Sequence, residues 1–347
     1  MIESKAQSPK PTANLPTARA SGRLIKPLVT IGLYIFIFAY WVDVAELVSR
    51  LRATRVEYVL LGVVLYSLGQ LISAYKWYLL LEPMDLVISY GRVTAFYFIG
   101  MFFNIFLPTI VGGDAVKAIL LSRETGFAGR ATMSVFMERN VGLLALLTIG
   151  TVAAWYAPPV RLFGLSLPTL ALILLAGYIA ANVVLTSPRA YAIVDAIIAS
   201  TPLAGMRHRA SSLYAGLVPY RNHLGLLMIT VGLSSLFQAI VIGVVFLNAR
   251  ALGQSFSISA LAIFVPIISL AGMLPFTVNG LGVREALYVL LFGQLGASRD
   301  LSVSMALLYL AVTFMASLPG GIVYALLRRN TEPTTPLRGN TGPTIQR

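Results

Sequence analysis

Few residues in this chain have both the type and the setting to do chemistry. Six ionisable residues fall in or beside long apolar stretches: Asp114 and Lys117 in LPTIVGGDAVKAILL, Glu138 and Arg139 in SVFMERNVGLLALL, and Arg284 and Glu285 in LPFTVNGLGVREALYVL. An ionised side chain at the centre of a bilayer costs about 2.5–3.5 kcal/mol by insertion scales, and less toward the edges. Each therefore needs a partner or water. Glu138 and Arg139 are adjacent, so on a helix they project about 100° apart and are better placed to reach other segments than each other. We expect all six to converge on one polar cavity. Lys117, Arg139 and Arg284 would bind a phosphate there, while Asp114, Glu138 and Glu285 would balance them or hold an amine. The plainer alternative leaves the charges at the interface, with their long side chains snorkelling to head groups.

The backbone around these charges is marked for interruption. Pro108 and the Gly112-Gly113 pair precede Asp114, and Pro275 and Asn279-Gly280 precede Arg284. Proline removes a backbone N–H and disrupts a helix, and freed polar groups at membrane depth are tolerated only when buried in protein or facing water. Each stretch thus reads as a broken or re-entrant helix. A second helix starting at Gly113 would carry Asp114 in its first turn and Lys117 one turn on, and the partner helix would begin near Asn279-Gly280. Such helix starts can bind anions. Alternatively, Gly112-Gly113, like Gly320-Gly321, serves close helix packing. The two stretches also resemble each other. A shift of 167 residues sets Leu107, Pro108, Val111, Gly113, Val116, Lys117 and Leu120 on Leu274, Pro275, Val278, Gly280, Val283, Arg284 and Leu287, with Gly126 on Gly293 and Gly129 on Gly296. This pattern points to an internal duplication.

The composition sets what can surround such a site. Of 347 residues 57% are hydrophobic and 11% charged, which excludes a soluble globular protein. Apolar runs long enough to cross a bilayer occur near 25–41, 57–81, 93–110, 131–156, 168–186, 224–249, 257–278 and 303–327. The expected fold is an all-α polytopic membrane helix bundle of about eight spans, with two broken or re-entrant segments. Residues 1–24 and 328–347 read as disordered basic tails flanking a membrane domain at 25–327. Nine of the 26 Lys and Arg residues lie in or beside these tails, which favours both ends in the cytoplasm. With eight spans, however, Arg50, Arg52, Arg55, Arg207 and Arg209 would face outward. The net charge of +13 is spread over loops that flank apolar spans, so it suits anionic lipid head groups and gives no reason to expect nucleic acid. No cysteine is present, and only His208 and His223 could supply imidazole, so no metal site or cofactor is expected. The segment 187–223 reads as short amphipathic helices on the membrane surface, too small for a nucleotide-binding fold.

The motifs NIFLPTIVGGDAVKA, MERNVGLLAL and PFTVNGLGVREAL resemble those of the lysylphosphatidylglycerol synthase transmembrane-region family, also called flippase-like membrane proteins. The resemblance implies a helical domain with re-entrant segments, similar to the half of bifunctional enzymes that moves an aminoacylated lipid across the bilayer. It places Asn104, Pro108, Gly112, Gly113 and Asp114 in a first motif and Glu138 and Arg139 in a second. Pro275, Gly280, Gly282, Arg284 and Glu285 fall in a third, beside Asn279. The sequence ends at Arg347 with no aminoacyl-transferring domain, so the synthase activity is not expected to accompany the motifs. The leading expectation is a flippase or transporter that shelters a phospholipid or lipid-linked head group. A second reading is an intramembrane transferase acting on a lipid-linked sugar, its paired acids serving as bases. A third is an accessory protein of envelope-lipid synthesis.

Overall fold

A computed structural model describes residues 21–107, 112–156, 161–162, 164–199, 211, 214–273, 277 and 280–331. Pro108, Pro275, Asn279 and most of both expected tails lie outside the described residues. Among the described residues the chain is all-α apart from a two-residue antiparallel ladder that pairs Arg161–Leu162 with Leu165–Ser166. We number the helices α1 (Ser21–Tyr40), α2 (Val44–Arg52), α3 (Val56–Leu79), α4 (Tyr90–Phe106), α5 (Gly112–Thr125), α6 (Ala128–Ala154), α7 (Leu167–Thr186) and α8 (Pro188–Ala199). These are followed by α9 (Leu224–Ala251), α10 (Ile258–Gly272), α11 (Val283–Gly293) and α12 (Arg299–Thr331).

Five described helices are long and apolar enough to cross a bilayer: α3, α6, α7, α9 and α12. A sixth crossing arises if α1 is counted with α2, which turns 91° from it. That turn follows from Asp43, whose carboxylate accepts the N–H groups of Ala45 and Glu46 and so starts a new helix. Length and composition thus give five crossings, or six with that pair, against the expected eight or so. The difference lies at α4 and α10, which were expected to be spans but are 17 and 15 residues long. Each instead runs antiparallel to the helix after it. Along α4–α5, Arg92 pairs with Glu124, Gly100 abuts Lys117, and the Asn104 carboxamide accepts the Gly113 N–H at 2.8 Å. Each step toward the tip on one arm is matched by a step back on the other. The same holds for α10–α11, where Gly280 sits on Gly272 near the tip and Phe292 stacks edge-on to Phe264 further from it.

Glycine makes these hairpins close. A Cβ on Gly113 would collide with the Gly100 carbonyl, so two helix backbones touch there. Gly320, and with it Gly321, packs α12 on α4 in the same manner, since a Cβ on Gly320 would strike the Phe98 carbonyl. The packing role expected for both glycine pairs is thus present.

The elements repeat at the shift of 167 residues. Under it α3 falls on α9, α4 on α10, α5 on α11 and α6 on α12, each start within four residues. The packing repeats as well: α4 lies on α12 as α10 lies on α6, and α3 touches α12 as α9 touches α6. At the hairpin ends the register slips by three, because the left-handed glycines that end α5 and α11 are Gly126 and Gly296. The equivalent helices α3 and α9 pack directly and antiparallel, with Gly62 near Asn248, Leu65 near Gly243 and Gly69 near Ile240. The two repeats are therefore inverted relative to the bilayer.

Long-range hydrogen bonds agree with this arrangement. On one face, Tyr220 donates its hydroxyl to the Leu80 carbonyl, joining the end of α3 to the start of α9. On the other face, the Arg55 N–H bonds the Ala251 carbonyl and the Asp43 N–H bonds Asp300. The α4–α5 hairpin enters from the first face and α10–α11 from the second. Segments 188–199 and 218–222 lie on the same face as the starts of α1 and α4, and Arg207 and Arg209 belong to the stretch between them, outside the described residues. Arg50, Arg52 and Arg55 lie on the opposite face together with Arg161, Arg250 and Arg299, so the described basic residues do not by themselves distinguish the two faces.

Because an added Cβ at Gly129 or Gly293 meets nothing within 4 Å, single cysteines can be placed at both hairpin roots. A membrane-impermeant maleimide applied to one side of oriented vesicles should label one position and spare the other. Eight conventional spans would put both on the same side, and labelling of both from that side would refute the inverted hairpins.

Candidate functional site

The hairpin tips meet a cavity of about 690 Å3 in the middle of the bundle, lined by α3, α4, α5, α6, α9, α10 and α12 together with Leu281 and Arg284. Its ionic framework comes from the first repeat. Glu138 on α6 places Oε1 3.1 Å from Lys76 Nζ on α3 and Oε2 2.8 Å from Lys117 Nζ on α5. Asp114 places Oδ2 2.5 Å from Arg139 Nε. Its Oδ1 lies 2.9 Å from Lys117 Nζ, near enough to pair electrostatically although not aligned as a hydrogen bond. The result is an alternating chain, Lys76–Glu138–Lys117–Asp114–Arg139. Its first four members are 4–5% exposed, so water does little to screen it.

Local sequence explains how each group arrives. Lys117 follows Asp114 by three residues on α5, so both project to one face. Glu138 and Arg139 are successive on α6 and diverge as their spacing requires, Glu138 to Lys76 and Lys117, Arg139 to Asp114. The Lys117 ammonium also lies 4.6 Å from the centre of the Tyr97 ring and 5.3 Å from that of Trp77. Trp77 is fixed in turn by donating its indole N–H to Ser134 at 3.2 Å. Snorkelling to the interface is excluded for Asp114, Lys117 and Glu138, which are sealed inside the protein.

The second repeat contributes differently. Arg284 lines the cavity with its guanidinium 5.3 Å from the centre of the Tyr309 ring, and no described carboxylate comes within ion-pair distance. Glu285 does not join the cavity as expected. It is fully buried, accepts the Gly282 N–H at 2.6 Å and accepts the Tyr34 hydroxyl at 3.2 Å. It is the third residue of α11 and reaches back to the residue that begins it, so capping satisfies this carboxylate. Gly280 and Gly282 adopt left-handed φ values of +72° and +84°, which shape the turn ahead of that helix. Gly282 also admits α1, since a Cβ there would lie 2.7 Å from Leu33.

Of the expected site residues, Asn104, Asp114, Lys117, Glu138, Arg139 and Arg284 line the cavity. Gly112 and Gly113 begin α5, and Gly113 shapes the hairpin tip beneath Asn104. The expectation omitted Lys76, though a lone lysine within an apolar span is a signal that sequence supplies. It also omitted the neutral polar lining of Gln70, Ser73, Ser234, Gln238 and Ser269. Among the described residues, no three potential metal-ligating side chains come together.

An inverted pair of re-entrant hairpins around a charged cavity defines a polytopic membrane protein. The chain matches the family described as lysylphosphatidylglycerol synthase TM region over residues 23–320, and it belongs to that family. It is similar to a UPF0104 membrane protein of Pyrococcus horikoshii, 25% identical over 134 residues, which cover 38% of this chain and 40% of that one. A UPF0104 membrane protein of Methanothermobacter thermautotrophicus is 22% identical over 138 residues, covering 38% and 39%. The match thus spans about two fifths of the length of these curated relatives.

Removing one member of a buried ion chain leaves its partner uncompensated, at a cost on the order of 3 kcal/mol. Glu138→Gln, which strips Lys76 of its one described counter-ion, should therefore lower the melting temperature in detergent, and adding Lys76→Met should recover part of the loss. Independent, additive losses would show that Lys76 and Glu138 are not coupled.

Proposed function

We propose that this protein moves a phospholipid or lipid-linked head group between leaflets of the cytoplasmic membrane. The observation that carries the proposal is the charge of the cavity. Lys76, Lys117, Arg139 and Arg284 face it against Asp114 and Glu138, a formal excess of +2. Carrying a charged head group through hydrocarbon requires stripping its water, and fixed charges and polar groups in the cavity replace that water. The acyl or prenyl chains stay in lipid throughout. Inverted repeats support the same reading, since they give a protein two related states open to opposite faces. No separate catalytic role is assigned to Asp114 or Glu138, because cations occupy both carboxylates.

The basic residues support a cytoplasmic position for both ends of the chain. Arg189 and Arg221 lie on the face where α1 begins and α12 ends, and in the sequence the residues before α1 and after α12 are rich in Lys and Arg. The protein would thus be a multi-pass protein that presents this face to the cytoplasm.

In vesicles reconstituted with fluorescent phospholipid, the wild-type protein should make inner-leaflet lipid accessible to a membrane-impermeant quencher. Arg284→Gln should slow this at least tenfold while leaving the melting temperature within a few degrees, because Arg284 is not part of the buried ion chain. Equal rates for wild type, variant and empty vesicles would refute transport. Covalent product formed from a lipid-linked sugar would favour the transferase reading instead.

A further inference from the structure

The cavity's unpaired charge discriminates among head groups. All four carboxylate oxygens that face it already have cations within 3.1 Å: Glu138 has Lys76 and Lys117, and Asp114 has Lys117 and Arg139. Glu285, the remaining nearby acid, is turned away to Gly282 and Tyr34. An ammonium entering this space would meet no free carboxylate and would have to displace a resident cation. Arg284, in contrast, has no described carboxylate within reach, and the Tyr309 ring holds its guanidinium. A guanidinium in that state suits a phosphate, which it can bind through two parallel N–H donors.

The wall contributed by α9 favours hydroxyls. Ser234 is 2% exposed, lines the cavity and has no hydrogen-bond partner for its Oγ among the described residues. A buried, unsatisfied hydroxyl facing a cavity calls for a ligand group or water. The carboxamides of Gln70 and Gln238 line the same space and can donate and accept together, as polyols require.

We infer that the cavity selects an anionic phosphodiester head group bearing hydroxyls, a polyol or glycosyl phosphate, and rejects head groups carrying a net positive charge. This rests on the lipid-transport reading for the site's purpose, but binding tests it separately. The protein would be reconstituted in nanodiscs of equal parts phosphatidylglycerol, phosphatidylethanolamine and lysylphosphatidylglycerol, and its retained lipids read by native mass spectrometry. Phosphatidylglycerol should exceed the lysyl lipid by about tenfold, equivalent to roughly 1.4 kcal/mol. Arg284→Gln should reduce the preference to near unity and Arg284→Lys should keep most of it, which separates loss of charge from misfolding. Ser234→Ala should weaken phosphatidylglycerol against a lipid phosphate monoester lacking hydroxyls. Competition by inorganic phosphate at millimolar concentration, with no lipid preference, would assign the site to free anions and overturn the inference. Retention of the lysyl lipid at or above phosphatidylglycerol would overturn it as well. If the preference holds while no lipid moves in the vesicle assay, the transport reading fails and the binding inference stands.

Discussion

Everything at the centre of this protein depends on keeping five ions together where water is scarce. A lone lysine or carboxylate at that depth is unstable, but an alternating chain lets each interior charge face two of opposite sign. Lys76, Glu138, Lys117, Asp114 and Arg139 come from three helices, so the chain also fixes where α3, α5 and α6 meet. Hairpin α4–α5 is therefore anchored by charge, and backbone contact between Gly100 and Gly113 sets its closeness.

The other repeat has the same helices without the same ions. Under the shift of 167 residues Lys76 becomes Gly243, Asp114 becomes Leu281 and Lys117 becomes Arg284; past the slip of three, Glu138 becomes Leu308 and Arg139 becomes Tyr309. The surviving cation has lost its acids. Hairpin α10–α11 is held instead by Gly280 on Gly272, by Leu33 of α1 against Gly282 and by the Glu285 cap. A duplicated scaffold thus carries one charge-locked hairpin and one whose cavity-facing guanidinium has no carboxylate in reach among the described residues. This asymmetry gives the cavity its sign.

Much of this arrangement was legible in the sequence. Interrupted apolar stretches with ions beside the breaks marked both hairpins, and adjacent Glu138 and Arg139 could satisfy themselves only through other segments. The span count was not legible, because an arm of 15–17 apolar residues and a membrane span have the same composition. What separates them is antiparallel contact with the next helix, and that is tertiary information. Lys76 lies three residues from the end of α3, where a lysine resembles an interfacial anchor, and only packing against Glu138 reveals it as buried. Glu285 had the reverse problem: charge and position matched the site, but a local cap claimed it.

The absence of cysteine from the sequence offers a clean test of whether the middle of the bundle is wet. Gln238 lines the cavity, whereas Leu236, two residues earlier on α9, is 49% exposed on the outside of the bundle. Single cysteines at these positions, in protein embedded in lipid nanodiscs, can be titrated with a small water-soluble thiol reagent. Reaction at 238 at least tenfold faster than at 236, slowed by added phosphatidylglycerol, is the predicted result. Equal, slow reaction at both positions would mean that no aqueous head-group cavity exists there, contradicting the central claim.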